Sequence, residues 1–328
     1  MSGSGDAAGL LEPAESLERH RTELTAYCYR MLGSAFEAED AVQETMTRAW
    51  RALDRFERRS ALRTWLYRIA SNVCLDMLGA SQRRARPMDL TAPGSAEVFS
   101  LVPLPETTWI EPVPTGRVLP ATGDPGDLAQ ARESLRLAFV AVLQHLPPRQ
   151  RAVLILREAL GWSAAEVAGL LDTTVASVNS ALQRARATLA AHDIDEAAPS
   201  RPEDPAQREL LDRYVDAFQR YDMDALAAVV HEDATQSMPP YDLWLRGRDD
   251  VFAWWVGPGH ECRGSVLVPA PANGMPAWGQ YKPAPGGGYR PWSVHVVQVE
   301  GDRITDLTFF LDTGRLFPLF GLPPVPPA

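Results

Sequence analysis

Residues 146–189 have the sequence LPPRQRAVLILREALGWSAAEVAGLLDTTVASVNSALQRARATL, in which two short amphipathic helices flank a polar turn. The first helix begins at a capping box, where the Ser163 hydroxyl and the Glu166 carboxylate can each accept a hydrogen bond from a backbone N–H. Asp172 tolerates the tight backbone conformation of a short turn. The second helix follows with Val178 and its apolar neighbours facing inward. Two helices at this spacing are typical of a helix-turn-helix, which places its second helix in a major groove.

The outward face of the second predicted helix is polar and basic, which suits hydrogen bonding to base edges and phosphates. The alternative is a three-helix bundle whose arginines are simply solvated, because short motifs of this kind also occur without DNA binding. The helix-turn-helix interpretation predicts DNA contacts from these outward residues: Thr174, Ser177, Asn179, Ser180, Gln183, Arg184 and Arg186.

The same stretch closely resembles region 4 of extracytoplasmic-function (ECF) sigma factors, over LPPRQRAVLILREALGWSAAEVAGLL and the following SVNSALQRAR. In that family the second helix binds the −35 promoter element. The resemblance implies base-facing positions at Asn179, Ser180, Ala181 and Arg184, and it places Arg186 nearer a phosphate. Many members of the family carry arginine at the positions of Asn179 and Ala181. We therefore expect fewer charged base contacts from this chain.

A second helical module precedes this one, and its stretch AFEAEDAVQETMTRAWRALDRFE resembles sigma region 2.2. That region docks on the clamp helices of the polymerase β′ subunit, and Asp40, Gln43 and Glu44 match its acidic and amide positions. Asp40 and Glu44 are four residues apart and therefore share one helix face. Paired carboxylates could also serve acid–base catalysis or a metal site, but no histidine or third carboxylate has a matching spacing. The resemblance favours polymerase binding.

The next stretch, LRTWLYRIASNVCLDMLGASQRR, resembles sigma regions 2.3 and 2.4, which melt the −10 element. Such regions capture a flipped base and stabilise the unstacked strand with polar and aromatic groups. The capture loop of the family resembles FRGES, whereas residues 56–60 here are FERRS and lack the glycine. The resemblance implies −10 contacts from the polar and basic residues of this module: Arg58, Arg59, Arg63, Arg68, Asn72, Arg83 and Arg84.

The net charge of −10 argues at first against nucleic acid, but the charges are segregated along the chain. Residues 17–86 carry 13 arginines against 9 acidic residues, whereas residues 191–328 carry 11 basic against 20 acidic residues. This pattern predicts nucleic-acid-binding modules joined to a domain that does not contact DNA. The sequence shows neither a secretory signal nor an apolar run of membrane-spanning length, so we expect a cytoplasmic protein without a membrane partner. The three cysteines lack metal or disulfide spacing, and we expect no metal or cofactor.

Shifts in composition, together with the two resemblances above, predict six parts along the chain. These are a disordered tail (1–16), a sigma region 2 module (17–86), a Pro-rich linker (87–129), a sigma region 4 module (130–191), a short linker (192–205) and a C-terminal domain (206–328). The dense prolines predict an extended first linker. Within it, Trp109, Ile110 and Pro112 predict a preformed segment that docks into a groove, and sigma factors with a C-terminal extension carry a similar Trp/Pro/Glu motif. The alternative is an incidental apolar patch in a spacer.

The C-terminal part combines helical segments at about 207–221 and 224–230 with β-like runs at 294–299 and 304–310. Its stretches LLDRYVDAFQRYDMDALAAVVHEDATQSMPP and LWLRGRDDVFAWW, with the two β-like runs, resemble the SnoaL-like branch of the NTF2-like superfamily. In that fold, helices wrap a curved sheet into a cone. The glycines at 286–288 predict a hairpin tip or a flexible docking loop. A phosphate-binding loop is not indicated, because neither its Lys-Ser/Thr pair nor its helix follows them.

A cone of this kind implies a pocket between helices and sheet. The candidate lining residues are Tyr214, Phe218, Trp244, Trp255 and His295, accompanied by Met238, Trp254 and Phe309. Some relatives of the fold are cyclases or isomerases with an Asp/His pair, for which His231, Asp233 and His295 are the candidates here. The alternatives are a polar cluster at a helix end for His231 and a satisfied core histidine for His295. A shared fold does not by itself imply a shared function.

Two sigma-like modules in the correct order predict a multidomain protein: an all-α region 2 bundle and an all-α helix-turn-helix region 4, followed by an α+β SnoaL-like cone. The resemblance implies an RNA polymerase sigma factor and not an enzyme. Its expected partners are promoter DNA and core RNA polymerase, through the β′ clamp helices and the β flap. The C-terminal domain is expected to modulate that activity, and a small-molecule ligand in its pocket is a further candidate partner. The alternatives are a ligand-sensing operator-binding regulator and a bifunctional protein with a cyclase- or isomerase-like C-terminal domain.

Overall fold

The computed structural model describes residues 15–56, 61–79, 83–99, 101–191 and 204–327. The chain forms two compact units. The helical unit comprises Met1–Arg83 and Gly116–Ile194, and the C-terminal unit comprises Arg84–Thr115 and Asp195–Ala328. Among the described residues, no helix has the length and apolar character needed to cross a membrane. The helical unit followed by a mixed α/β unit confirms the predicted fold class.

The first module of the helical unit contains α1 (Arg21–Leu32), α2 (Ala35–Ala52) and α3 (Leu62–Leu78). Helix α1 ends at Gly33, whose φ of 73° is left-handed, and the Ser34 side chain caps α2 by accepting a hydrogen bond from Glu37 N. The core between the helices contains Tyr27 and Tyr67, whose rings pack edge to face with centroids 5.3 Å apart. The short turn between α1 and α2 sets these two helices against each other.

The second module contains α4 (Thr115–Val118), α5 (Pro125–Glu133), α6 (Leu137–Leu143), α7 (Pro148–Leu154), α8 (Ala164–Leu170) and α9 (Val175–Ala190). A single π-helical turn, Ile155–Ala159, extends α7. Helix α5 begins inside the stretch predicted to be an extended linker. The reason is that Asp124 caps this helix and Pro125 occupies its first turn, where proline stabilises a helix instead of breaking it.

The C-terminal unit contains helices α10 (Pro205–Arg220), α11 (Met223–Ala227), α12 (Arg248–Val256) and α13 (Thr313–Phe320). Its strands are β1 (Val230–Ser237), β2 (Trp244–Arg246), β3 (Val266–Pro269), β4 (Ala277–Pro283), β5 (Tyr289–Glu300) and β6 (Arg303–Phe310). Within the described residues they form one sheet of order β2-β1-β6-β5-β4-β3, in which β1 and β6 are parallel and the other neighbours antiparallel. The aromatic core lies between this sheet and the helices.

The two predicted β-like runs are confirmed, since they lie within β5 and β6, and the predicted hairpin tip joins β4 to β5. The helix predicted at about 224–230 is wrong at its end. It stops at Ala227, and Val230 already begins β1. The β-branched pair Val229–Val230 is fully buried and suits a strand that pairs with β6.

Residues 84–115, here called the connecting segment, pack against the sheet domain of the C-terminal unit. The N–H of Gly94 donates to the Trp244 carbonyl oxygen at 2.8 Å, and the N–H of Leu104 donates to the Pro240 carbonyl oxygen at 2.9 Å. The prediction of an extended, unfolded tether is therefore wrong for this part of the chain. Its prolines cannot donate backbone hydrogen bonds, and its other N–H groups are paired partly within the segment, as in the 3-10 turn Pro87–Asp89, and partly with acceptors on the domain.

Candidate functional site

The helix-turn-helix of the second module has the local geometry that its sequence predicts. The Ser163 hydroxyl accepts a hydrogen bond from Glu166 N at 3.2 Å, and the Glu166 carboxylate accepts one from Ser163 N at 2.7 Å. Asp172 has a left-handed φ of 48° in the turn. Thr174 caps α9 by accepting a hydrogen bond from Ser177 N at 3.1 Å. These local bonds fix where α8 and α9 start.

The outward side of α9 carries the predicted polar and basic residues in exposed positions: Thr174, Ser177, Asn179, Ser180, Gln183, Arg184 and Arg186. Arg184 donates to the Ser180 hydroxyl at 2.6 Å, and Arg186 pairs with the Glu158 carboxylate at 2.5 Å. The prediction that Ala181 faces the bases is wrong, because Ala181 is buried together with Val178 on the opposite side of α9. The exposed side is continuous and has no acidic residue on α9 itself.

The three residues predicted to bind polymerase share an exposed side of α2. Asp40, Gln43 and Glu44 are all exposed, and only Glu44 is engaged in an ion pair that the structure places, with Arg48 at 2.7 Å. Such an exposed pair holds a surface carboxylate only weakly, so another protein can replace Arg48 as the partner. The helix therefore presents an acidic and amide-bearing strip.

The predicted −10 residues differ in what they contact. Asn72 is exposed on α3. The Arg68 guanidinium donates to the Gly169 carbonyl oxygen of α8 at 2.6 Å, and Arg83 contacts the His145 imidazole. Two of the predicted residues lie outside the residues that the structure describes, namely Arg58 and Arg59. In this state the first module thus turns part of its basic surface towards the second module.

The prediction that Arg84 contacts the −10 element is also wrong, because Arg84 is buried and does not face solvent. Its guanidinium donates to the carbonyl oxygens of Trp109 and Glu106 at 2.7 and 3.0 Å and lies 3.9 Å from the Glu111 carboxylate. Arg84 therefore holds the connecting segment in its folded form and is not available to a phosphate.

The contact between the two modules was not predicted from the sequence, and Trp162 is at its centre. Its side chain is 6% exposed and packs on Tyr67 with ring centroids 5.1 Å apart. The Arg63 guanidinium lies over both rings and donates to the Glu23 carboxylate at 2.7 Å. The position of Trp162 directly before the capping residue of α8 suggests only a local staple. No short-range signal identifies its partner in the other module.

Two buried arginines lie in the same contact. Arg30 of α1 donates to the Ser134 hydroxyl at 2.7 Å, and Arg151 of α7 donates to Gln144 Oε1 at 2.6 Å and to the Met31 carbonyl oxygen. Burial lowers the pKa of both guanidinium groups to about 10. Arg30 Nη1 and Arg151 Nε have no hydrogen-bond partner among the described residues. Unpaired buried donors weaken an interface, since separation would return them to water.

The linker residues predicted to dock are buried in the C-terminal unit. Trp109 and Ile110 are 3% and 2% exposed, and Pro112 is buried beside them. Arg315 of α13 pairs with the Glu111 carboxylate at 3.0 Å. A groove of about 530 Å³ lies between these residues and the ends of β1 and β6. The segment is therefore held by apolar burial and by an ion pair to the domain.

A cavity of about 150 Å³ lies within the C-terminal unit, and five residues of the predicted set line it: Phe218, Met238, Trp254, Trp255 and Phe309. Tyr214 and His295 lie outside this lining, fully buried, with the Tyr214 hydroxyl and His295 Nε2 3.0 Å apart. Burial lowers the pKa of His295 to about 3, so its ring is neutral near pH 7. Trp244 also lies outside the cavity lining, and its indole N–H donates to the Thr91 carbonyl oxygen of the connecting segment.

The predicted Asp/His pair does not form. His231 and Asp233 lie on β1, where the Asp233 N–H donates to His231 Nδ1, and neither residue lines the cavity. His295 stacks on Phe309 with ring centroids 4.0 Å apart. None of the three candidates therefore lines the cavity, so they supply no acid–base pair to it.

Comparison with known proteins identifies three matching families and several relatives. The Sigma-70 region 2 profile matches residues 17–84, the Sigma-70 region 4 profile matches residues 136–189, and the SnoaL-like domain profile matches residues 211–307. The chain is 44% identical over 311 residues to the ECF RNA polymerase sigma factor SigG of Mycobacterium tuberculosis, covering 93% of this chain and 82% of that protein. It is 33% identical over 250 residues to SigJ of the same organism, covering 74% of this chain and 71% of SigJ. The crystal structure of SigJ superposes with a TM-score of 0.59 at 24% identity, over 96% of this chain and 99% of that one.

Proposed function

The chain belongs to the family of ECF RNA polymerase sigma factors, and we propose that the contact between its two sigma regions is a resting state controlled by its SnoaL-like domain. It is an RNA polymerase sigma factor with a C-terminal SnoaL-like domain. Such factors bind core RNA polymerase and promoter DNA. The observation that carries the proposal is the buried Trp162, which joins region 2 to region 4 within the helical unit.

The described surfaces support a division of tasks between the two regions. The exposed side of α2 with Asp40, Gln43 and Glu44 would bind the polymerase β′ clamp helices, and region 4 would bind the β flap. The exposed side of α9 would enter the −35 major groove, because its arginines and amides can pair with base edges and phosphates. Asn72 and the arginines of region 2 would contact the −10 element. We place this activity in the cytoplasm, where core RNA polymerase acts.

Promoter geometry requires the two regions to separate. The −35 and −10 elements are about 25 base pairs apart, which is about 85 Å of B-DNA at 3.4 Å per base pair. Two touching modules of this size have centres about 28 Å apart, because a 70-residue domain has a radius of gyration of about 11 Å. The contact of Trp162 with Tyr67 therefore has to break before both elements are bound at once.

The connecting segment gives the C-terminal domain a means of control. It is the part of the chain that joins region 2 to region 4, and it packs in the C-terminal unit. Fully extended, residues 84–115 could span up to about 105 Å, enough for the promoter distance. While packed, the segment holds its two ends at one fixed separation. Release of the segment would thus increase the distance that the regions can reach.

We propose a binding role, not a catalytic one, for the C-terminal domain. Sigma factors are not enzymes, although the domain's fold family includes some isomerases. His295 is neutral and fully buried, and none of His231, Asp233 and His295 lines the cavity, which favours this proposal. A domain whose polar groups are used for packing can still change shape when a ligand or protein binds to it.

Run-off transcription with purified core RNA polymerase tests the proposal directly. The full chain and a version ending at Ala191 would be compared on the same set of promoter fragments. We expect specific initiation by both proteins and a higher yield from the shortened one, because its connecting segment has no domain to pack against. Equal yields would reject control by the C-terminal domain. A full chain that folds but initiates nowhere would contradict promoter recognition itself.

A further inference from the structure

The cavity of the C-terminal unit is small and has mainly aromatic walls. Phe218 of α10, Trp255 of α12 and Phe309 of β6 contribute rings to a space of about 150 Å³. Glu261 also lines the cavity and is 64% exposed at its side chain, so it marks the opening towards solvent. Among the other polar lining residues, Gln236 and Lys282 present hydrogen-bond donors that are held in fixed positions.

The first of these donors is the side-chain amide of Gln236 on β1. Its Oε1 accepts a hydrogen bond from the Trp255 indole N–H at 2.6 Å, and an indole N–H can only donate, so the orientation of the amide is determined. The opposite end, Nε2, has no hydrogen-bond partner among the described residues although Gln236 is only 1% exposed. Buried amide donors are almost always paired. Because Gln236 lines the cavity, an acceptor for this donor has room there.

The second donor is Lys282 of β4, the single lysine in a chain that otherwise uses arginine. Its side chain is 3% exposed, its ammonium donates to the Glu261 carboxylate at 2.8 Å, and it lies 3.5 Å from the centre of the Trp292 ring. The carboxylate and the ring together hold the ammonium in place at the cavity wall. Burial raises the pKa of the neighbouring Cys262 thiol to about 11, so this side chain adds no charge near pH 7.

The size and the walls of the cavity define what fits. A cavity of this volume holds one six-membered ring and little more. Flat aromatic molecules gain further from offset or edge-on contact with rings such as those of Phe218 and Trp255. A purely apolar molecule would leave the Gln236 amide unpaired, whereas an oxygen acceptor on the ring would satisfy it.

We propose that this cavity binds a one-ring aromatic compound that carries a carbonyl or carboxylate oxygen. The ring packs against Phe218, Trp255 and Phe309, and the oxygen accepts a hydrogen bond from Gln236 Nε2. The Lys282 ammonium adds attraction when the oxygen is ionised. Binding of this kind does not depend on the proposed control of transcription, although Leu101 of the connecting segment also lines the cavity.

Isothermal titration calorimetry of the full chain with benzamide, benzoate and toluene tests this proposal. We expect one site, with benzamide or benzoate binding at least about tenfold more tightly than toluene, because only they carry an acceptor oxygen. Tighter binding of benzamide would identify a neutral carbonyl ligand, and tighter binding of benzoate an ionised one. Toluene binding as tightly as both, or no saturable binding by any of the three, would overturn the proposal.

Two variants and a control link the binding to the cavity. Gln236→Leu should weaken the better oxygen-bearing probe by about tenfold and leave toluene unchanged, because it removes the donor but keeps an apolar wall. Met238→Phe should weaken all three probes, because it fills the cavity without touching the Gln236–Trp255 bond. Gln298→Leu, on β5 outside the cavity lining, is the matched control and should bind as the parent does. Circular dichroism of each variant checks its fold, and unchanged affinities in both cavity variants would reject the site.

Discussion

The Oδ1 atom of Asn273 accepts a hydrogen bond from the Val113 N–H at 3.0 Å, and the Val113 carbonyl oxygen accepts one from the Asn273 N–H at 2.9 Å. This reciprocal pair joins the connecting segment to the turn between β3 and β4. Asn273 is fully buried and has a φ of 56°, a left-handed conformation that asparagine tolerates better than most residues. One side chain thus fixes the turn and pairs a buried backbone group of the segment.

Replacing Asn273 with glycine separates these two roles. Glycine adopts the same φ without strain but leaves the buried Val113 N–H unpaired, at a cost of about 1–3 kcal/mol. We expect amide hydrogen exchange in residues 110–115 to accelerate by about tenfold or more, and run-off transcription to increase. Asn273→Asp is the matched control, since it keeps an acceptor oxygen and tolerates the left-handed backbone. Unchanged exchange in Asn273→Gly would show that this pair does not hold the segment.

The sequence predicts those features of the fold that depend on neighbouring residues. Ser163 and Glu166 are three residues apart, so their capping box, and with it the start of α8, could be recognised without knowledge of the fold. Ala181 was assigned to the wrong side because a resemblance transfers positions, while burial depends on which helix packs against which. The rotation of α9 about its axis is a tertiary property.

Contacts between distant parts of the chain were beyond sequence reasoning. Arg68 contacts Gly169, and Trp162 packs on Tyr67, across about a hundred residues that contain no periodic signal of the pairing. Packing of the connecting segment was predicted around Trp109 but missed for the rest of the segment. Its prolines indicate an extended backbone, which is compatible with both a free tether and a strand-like segment on a domain. Trp109, Ile110 and Pro112 did indicate packing, and the structure buries all three.

Removal of the Trp162 side chain should open the helical unit. A buried tryptophan replaced by alanine typically costs about 3–5 kcal/mol, and here that loss falls on the contact between the two sigma regions. We expect Trp162→Ala to increase the radius of gyration in small-angle X-ray scattering and to raise affinity for a duplex that carries both promoter elements. Trp50→Ala is the control, because Trp50 is 44% exposed on α2 and should change neither quantity. A folded Trp162→Ala variant with parental radius and affinity would contradict the resting-state contact.

Arg184 is the residue of α9 whose removal should most affect promoter binding. Its guanidinium is exposed and fixed only by the Ser180 hydroxyl, so a guanine edge or phosphate can replace that partner. We expect Arg184→Ala to weaken specific binding to promoter DNA by about tenfold. If the lost contact is to a phosphate, the affinity of the variant should also depend less steeply on salt concentration. Arg213→Ala removes an equally exposed arginine from α10 and should leave binding unchanged. Parallel losses in both variants would indicate general electrostatics and not contact by α9.

His295 should make the stability of the C-terminal unit depend on pH. Burial lowers the pKa of its imidazole to about 3, against about 6.5 in an unfolded chain. Below pH 6.5 the unfolded chain gains a proton that the folded protein cannot accept. The contribution of His295 to stability is therefore complete above pH 6.5, and it is lost by up to about 1.4 kcal/mol per unit as the pH falls towards 3.

Urea unfolding of the parent and of His295→Gln between pH 4 and 7.5 measures this contribution. Glutamine does not titrate and can still accept a hydrogen bond from the Tyr214 hydroxyl, so the difference between the two unfolding free energies should shrink as the pH falls. Burial raises the pKa of Asp306, which has the opposite effect, but that residue is present in both proteins and cancels from the difference. Curves that stay parallel down to pH 4 would mean that the imidazole gains its proton in the folded protein, and His295 would then be accessible to solvent.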